Sequence, residues 1–289
     1  MSIETTGFLG SYHELYETQT AVEELKSHRG GGDVVTSLLV YGLKSGLFDK
    51  ALVVKMSQTE PWKAITTLAR TPDEVMEAAG SKYAFVPLGD LAEQLTERSA
   101  VVGLPCQISS RGDYFKIGLF CGIIYNEKGL DYFLRQNDIN REDISLMDYR
   151  APHTRRMVIE LKSGARKELL YPWWLGYFFH EKRCLRCQDY ANHHADISVG
   201  DRRPGYSAII IRTQRGQGAF LQAVKANYIK AKKLGLEDFL HYRGSSLMQK
   251  EARGGFINTR LVTIWGDWSA RLPLRLLRIM GTNISRRLR

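Results

Sequence analysis

The sequence predicts an α/β (α+β) fold: a mixed sheet with flanking helices and with ligand sites at strand ends. Three observations lead there. Short apolar runs rich in Val, Ile and Thr recur at 51–55, 63–68, 100–104, 116–121, 195–199 and 208–212, each of strand length and bounded by turn residues. Between several of them lie segments with helical spacing or a helix-start signature, at 34–48, 71–80, 91–97, 130–136 and 217–233. Such alternation builds parallel or mixed sheets, in which ligands gather beyond the carboxyl ends of the strands. The composition, 44% hydrophobic and 25% charged, is that of a globular protein, and no run approaches the ~20 apolar residues of a membrane span. The stretch Met1–Glu17 is polar and carries no targeting signature, so the expected location is cytoplasmic and reducing. At 289 residues without repeats or low-complexity linkers, the chain is one large domain or two small ones.

Taken in order, Glu14–His28 reads as a helix, ended by Arg29 and three glycines. Val34–Phe48 reads as a second helix with a broad apolar face (Val35, Leu38, Leu39, Tyr41, Leu43, Leu47). A glycine-rich turn that opens a helix leaves backbone N–H groups free to meet an anion, although Gly30-Gly31-Gly32 also suits a plain interhelix turn. Thr71-Pro72-Asp73-Glu74 starts a short helix with an N-cap, a proline at the first position and a glutamate three residues after the cap. That helix ends at Gly80, and Ser81-Lys82-Tyr83 follows as a loop. Ala100–Leu104 is a buried strand ending at Pro105-Cys106-Gln107, and Lys116–Cys121 is the next strand. Leu130–Gln136 reads as a helix, and Met157–Leu161 with Lys167–Leu170 as a hairpin across Ser163-Gly164. The aromatic run Pro172–Phe179 reads as packed core leading into the cysteine motif. Ala195–Val199 and Ala208–Arg212 are buried strands, and Gln217–Lys233 reads as a long amphipathic helix.

The four cysteines carry the chemistry. Cys184 and Cys187 form a C-x-x-C, while Cys106 and Cys121 each end an apolar run. A disulfide framework does not suit a chain able to bury a large core. Structural zinc favours two close pairs, and Cys106 and Cys121 are fifteen residues apart. What remains is one four-thiolate site, suited to an iron–sulfur cluster, or a C-x-x-C beside two buried core cysteines. His180, four residues before Cys184, is the one histidine near the motif; a structural role suits it.

The words around these cysteines form a pattern: Gly103-Leu104-Pro105-Cys106-Gln107, Lys116-Ile117-Gly118-Leu119-Phe120-Cys121-Gly122, Cys184-x-x-Cys187-x-Asp189-Tyr190 and Ala195-Asp196-Ile197-Ser198-Val199-Gly200-Asp201. With Gly31-Gly32-Asp33-Val34-Val35-Thr36, Gly80-Ser81-Lys82-Tyr83 and Gly205-Tyr206-Ser207-Ala208, this order resembles the beta-subunit family of coenzyme F420-reducing hydrogenases and F420-linked dehydrogenases, from about Gly7 to Ala226. The resemblance implies a flavin- and iron–sulfur-binding subunit. Cys106, Cys121, Cys184 and Cys187 would hold one 4Fe-4S cluster. Gly31, Gly32, Thr36, Ser81, Lys82, Tyr83, Pro105 and Gln107 would lie at the FAD. Hydride would pass to or from coenzyme F420, and a partner iron–sulfur, hydrogenase or dehydrogenase subunit would exchange electrons with the cluster. The flavin joins the two modes, because a deazaflavin takes hydride rather than single electrons. Arg183 and Arg186 would soften the charge of a four-thiolate cluster. One position departs from the family's Ser-Gly-Gly: the second glycine is Asp33 here. A carboxylate beside a phosphate is unfavourable, and Asp33 is expected instead to cap the following helix.

The charge is concentrated at the end of the chain. From His241 to Arg289 ten Lys and Arg face only Glu251 and Asp267, a balance of +8 out of the +10 of the whole chain. Leucines, Ile279 and Met280 alternate with the arginines, as in a basic amphipathic helix. The expected organisation is therefore a cofactor-binding domain at 1–240 and a basic extension at 241–289. No nucleic-acid motif is present, so the extension would dock on an acidic partner or lie peripherally on an anionic membrane. A related reductase with another substrate, or a metal-stabilised adaptor without catalytic activity, is the competing reading.

Overall fold

The computed structural model describes residues 4–6, 9–26, 33–108, 112–151, 156–170, 172, 175–176, 178–241, 276 and 278–280. Along the chain run β1 (Glu4–Thr6), β2 (Gly10–Tyr12), β3 (Glu14–Thr20), α1 (Val34–Lys44), β4 (Lys50–Met56), β5 (Ala64–Ala69), α2 (Pro72–Glu77), β6 (Ser99–Gly103) and β7 (Phe115–Leu119). They are followed by α3 (Glu127–Arg135), β8 (Ile144–Asp148), β9 (Met157–Leu161), β10 (Arg166–Leu169), β11 (Ile197–Asp201), β12 (Ser207–Ile211), α4 (Gln214–Lys225) and β13 (Ile229–Leu234).

An eight-stranded mixed sheet, ordered β13-β3-β12-β11-β7-β6-β4-β5, forms the frame. Its centre is parallel: β4 pairs with β6, β6 with β7 and β7 with β11. The strands outside this quartet add antiparallel. Because side chains alternate faces along a strand, β12 feeds two cores at once. Ile209 and Ile211 pack with α1 and α4 residues such as Leu38 and Phe220, while Ala208 and Ile210 pack on the opposite face with Tyr12, Leu15 and Phe239. A separate antiparallel sheet, β10-β9-β8, covers α3 and encloses a third cluster with Tyr132, Phe133, Leu175, Phe178 and Phe179. The aromatic segment is thus core as expected for its described residues; Trp173, Trp174 and Tyr177 lie outside them.

The starts of α1 and α2 fall where the sequence places them, at Val34 and Pro72, while α3 begins at Glu127, three residues before the expected Leu130. Thr71 accepts from the Glu74 N–H at 3.3 Å while the Glu74 carboxylate accepts from the Thr71 N–H at 3.1 Å, a complete capping box. The hairpin turn at Ser163-Gly164 also forms, with Gly164 at φ 84°. The segment expected to be helical at 91–97 is a 3₁₀ helix over Gly89–Gln94.

Two expectations are corrected. Glu14–His28 is not a helix: residues Glu14–Thr20 are β3, flanked by β12 and β13, and a single 3₁₀ turn follows at Glu23–Leu25. Tyr16, Thr18 and Thr20 favour a pleated surface, and two strand partners outweigh the helical tendency of the Glu and Leu residues. Thr18 and Thr20 are buried there with hydroxyl partners at Ser207 O and Ser37 Oγ. Gln217–Lys233 is not one helix either. α4 begins at Gln214 behind a Thr213 cap and stops at Ala226; Asn227 turns the chain at φ 59°, and β13 then joins the sheet edge. Lys230, Lys232 and Lys233 lie along that edge, the charge pattern that discourages pairing with foreign strands.

Among the described residues no helix is long and apolar enough to cross a membrane. Most of 241–289 lies outside the described residues. Leu276 and 278–280 are helical, and Met280 packs against the α3 cluster, so this part of the expected extension rests on the body of the fold.

Candidate functional site

The parallel strands deliver their carboxyl ends to one cavity of about 350 Å³. Val102 and Gly103 of β6, Leu119 of β7 and Val199–Asp201 of β11 reach it from the sheet; Asp33–Thr36 open α1 above it; Ala78–Ala84 form a further wall. Apolar walls with a few converging polar groups suit an organic cofactor, and the helix N-terminus suits an anionic group on it.

Six of the eight expected flavin-site residues lie among the described residues. Thr36, Ser81, Lys82, Tyr83 and Gln107 line the cavity. Gln107 is fixed at its rim: its carbonyl accepts from the Leu104 N–H at 2.8 Å and its amide donates to Val86 O at 2.5 Å. Lys82 is turned toward α2, where its ammonium donates to the carbonyls of Ala78, Ala79 at 2.9 Å and Gly80 at 3.1 Å. It caps the carboxyl end of that helix, a favourable place for a cation. Tyr83 meets Tyr149 edge-on, with ring centroids 6.1 Å apart. Pro105 is buried in the turn that follows β6 and is not part of the cavity wall. Gly31 and Gly32 lie outside the described residues.

Asp33 occupies the N-cap position at φ 49° but makes no side-chain cap hydrogen bond, which corrects the expectation that it caps α1. Instead its carboxyl lines the cavity, and burial, with the Asp201 carboxylate facing it, pushes its pKa up to about 6. Asp201 is itself held by the buried Arg150 guanidinium in an ion pair. Asp196, at the start of β11, is structural: its carboxylate accepts from the Lys116 N–H at 2.8 Å, the Thr213 hydroxyl at 2.7 Å and the Arg215 guanidinium at 2.8 Å.

The thiol-bearing segments converge on the same end of the sheet. Cys121 is buried in the cavity wall, and its N–H donates to Tyr190 O at 3.0 Å. The Glu181 N–H donates to Ile124 O at 3.1 Å and Tyr125 bridges to His180, so the segment leading into the C-x-x-C runs beside the segment that follows Cys121. Cys184 sits in a 3₁₀ turn, half-buried; the Cys187 thiol donates to Asp189 O at 3.5 Å; Cys106 is exposed in the turn after β6. Even so, among the described residues no group of three or more His, Cys, Asp or Glu stands in position to hold a metal ion. The segments meet, which fits a shared four-thiolate group; the thiols themselves are not gathered. Arg183 stacks over the Phe85 ring at 4.0 Å and Arg186 is exposed.

Asn192 is the residue that sequence reading missed. It is fully buried at φ 63°, and its amide donates to Gly103 O at 3.0 Å while its N–H donates to Asp189 Oδ1 at 2.6 Å. One residue, through its side chain on one side and its backbone on the other, thus ties the strand leading to Cys106 to the segment that follows Cys187. A Cβ on Gly118 would come within 2.3 Å of its Cγ, which is why that strand position is glycine. Arg150 was also missed, because nothing in its local sequence marks a buried cation.

Comparison with known proteins shows the family and the fold. Residues 16–93 match the family described as "Coenzyme F420 hydrogenase/dehydrogenase, beta subunit N-term" and residues 96–236 its C-terminal counterpart. A coenzyme F420 hydrogenase subunit beta of Methanococcus voltae is 26% identical over 251 residues, covering 78% of this chain and 86% of the relative. A coenzyme F420-dependent sulfite reductase of Methanocaldococcus jannaschii is 30% identical over 217 residues, 64% of this chain but only 33% of that larger protein. A chain in the structure of the F420-reducing [NiFe] hydrogenase complex from Methanosarcina barkeri shares the fold, with a TM-score of 0.71 over 87% of this chain and 93% of that one, at 21% identity.

Proposed function

The chain belongs to the coenzyme F420 hydrogenase/dehydrogenase beta-subunit family, a family of electron-transfer oxidoreductase subunits, and from that premise we propose that it is a coenzyme F420-dependent oxidoreductase subunit holding FAD and one 4Fe-4S cluster. The observation that carries the reading is the 350 Å³ cavity, which brings the α1 N-terminus, Cys121 and the Ser81–Tyr83 loop to one place at the strand ends. Bound there, a flavin supplies two-electron hydride chemistry and a cluster supplies single-electron steps. The residues of the chain bind and orient. The first turn of α1 offers N–H groups to the diphosphate. Val53, Val102 and Val199 line the cavity and would supply apolar surface to a bound ring. Gln107 fixes the β6 turn beside it. Cys106, Cys121, Cys184 and Cys187 are the candidate cluster ligands, and coenzyme F420 is the candidate hydride partner. Anaerobic purification is expected to give a coloured protein with bound flavin, about four irons per chain and flavin-dependent reduction of coenzyme F420 by an electron donor. A colourless protein that contains zinc would remove this reading.

A single cluster has a short reach, so a partner iron–sulfur, hydrogenase or dehydrogenase subunit would exchange electrons with it. The +8 carried by His241–Arg289 is the proposed docking element, with an acidic partner surface preferred to an anionic membrane. Partner capture is expected to weaken steeply as salt rises toward about 1 M, where the screening length falls to ~3 Å. Removing the residues after Asp267 should abolish capture and leave flavin and iron content unchanged. Since Met280 packs on the α3 cluster, loss of cofactors on truncation would instead make the segment part of the fold.

A further inference from the structure

Asp33 stands where a bound anion would meet the first turn of α1, yet it is a second acid in the same cavity as Asp201. Its backbone is left-handed, the conformation in which glycine is at ease and aspartate is tolerated. Its carboxyl leaves the helix N–H groups unused, so they remain available to another acceptor. The charged and titratable groups around the cavity are few. Asp201 comes from β11 and is paired with Arg150; Lys82 and Tyr83 come from the loop after α2, and Lys82 is committed to the α2 carbonyls; Cys121 and Tyr190 complete the set. Arg150 is thus engaged by Asp201 and Lys82 by α2, so neither is aimed at Asp33.

If the dinucleotide's diphosphate occupies that helix turn, two anions compete for one set of donors. Like charges at contact distance are costly in a partly buried site. A diphosphate diester stays ionised throughout the neutral range, so the proton has to go to the carboxyl, and a neutral carboxyl can then donate its O–H to the phosphate. On the flavin-binding reading above, we propose that Asp33 is a specificity-determining residue of the cavity: its carboxyl takes up one proton as the cofactor's diphosphate binds, so that affinity for the dinucleotide is set by pH. Burial and the facing Asp201 hold Asp33 in the range where this exchange occurs, up to about 6 before the cofactor arrives.

The test is an FAD titration of the flavin-free full-length chain between about pH 5 and 8, followed by fluorescence and by calorimetry in two buffers of different ionisation enthalpy. The dissociation constant is expected to rise about tenfold per pH unit above about 6, with uptake of about one proton per FAD at the alkaline end. Asp33→Asn and Asp33→Gly, both compatible with the left-handed backbone, should flatten the profile and bind FAD roughly a hundredfold more tightly than the unaltered chain near pH 8. Riboflavin, which lacks the diphosphate, should show no slope with any of the three proteins. Stability gives an independent readout. A carboxyl whose folded pKa lies above its unfolded value contributes stability below the unfolded pKa and loses it as pH rises through the folded one. Asp33→Asn should therefore raise the melting temperature near pH 8 relative to the unaltered chain and have no such advantage near pH 4. A flat FAD profile in the unaltered chain, or a slope that persists in both variants, overturns the role of Asp33 while leaving the flavin in place. FAD bound by no form at any pH overturns the cofactor reading and this proposal together.

Discussion

Replacing Cys121 with alanine is expected to lower the iron content of the anaerobically purified protein from about four atoms per chain to below one, or to leave a smaller cluster with an altered spectrum. Cys121 is the thiol whose environment is best defined: buried, in the wall of the cavity, with its backbone fixed to Tyr190 O. Removing one sulfur atom from that wall costs about 1 kcal/mol of packing, small beside the ~5–15 kcal/mol that holds a domain folded. Iron loss from an unfolded variant is therefore not the expected route. Comparing melting temperatures of the iron-free forms separates the two causes, since these should differ by only a few degrees. Cys106→Ala, Cys184→Ala and Cys187→Ala should give the same loss. The thiols are not gathered among the described residues, but three of the four sit in turns or irregular backbone, where small reorientations cost less than in strand interiors. Unchanged iron and an unchanged spectrum in Cys121→Ala would place the fourth ligand elsewhere.

The elements that sequence reading located correctly are those whose signal is local. The capping box at Thr71–Glu74 satisfies its own helix, and the apolar runs of β6, β7, β11 and β12 are buried on both faces, so their composition alone marks them. β3 was not legible in this way. Its strand character is imposed by β12 and β13, whose paired residues are far away in the chain, from Thr18↔Ser207 to Leu15↔Leu234, and β13 was hidden in turn by the helix-forming lysines of 225–233. The same distinction holds at the site. Cys184 and Cys187 stand out by spacing, and Ser81–Tyr83 and Gln107 by the resemblance of their surrounding words. The direction of Lys82 into α2, the Arg150–Asp201 pair and the bond from Asn192 to Gly103 are long-range or conformational facts that no local pattern carries. Asp33 shows both limits: its identity was readable as a departure, its inward-facing carboxyl was not.

Asn192→Ala is expected to destabilise the protein by about 2–4 kcal/mol, because three costs fall at one position. A residue with a Cβ and no local hydrogen-bonding group loses about 1–2 kcal/mol in the left-handed conformation at φ 63°. The Gly103 carbonyl loses its buried donor, worth about 1–3 kcal/mol. The space against Gly118, already too close for a Cβ on that glycine, is left partly empty. The backbone N–H bond to Asp189 survives, so the three costs do not all reach their limits. Asn192→Gly separates them, since it relieves the backbone strain and keeps the other two losses; it should fall between the unaltered chain and Asn192→Ala in denaturant midpoint. The same variants should release iron faster than the unaltered protein, because Gly103 heads the turn bearing Cys106, Asp189 follows Cys187 by two residues, and the lost amide bond to Gly103 O is one of the two bonds by which residue 192 joins them. Equal midpoints for all three proteins would show that the amide bond contributes nothing to stability. Normal midpoint loss with unchanged iron release would show that this link supports the fold without holding the thiol segments in place.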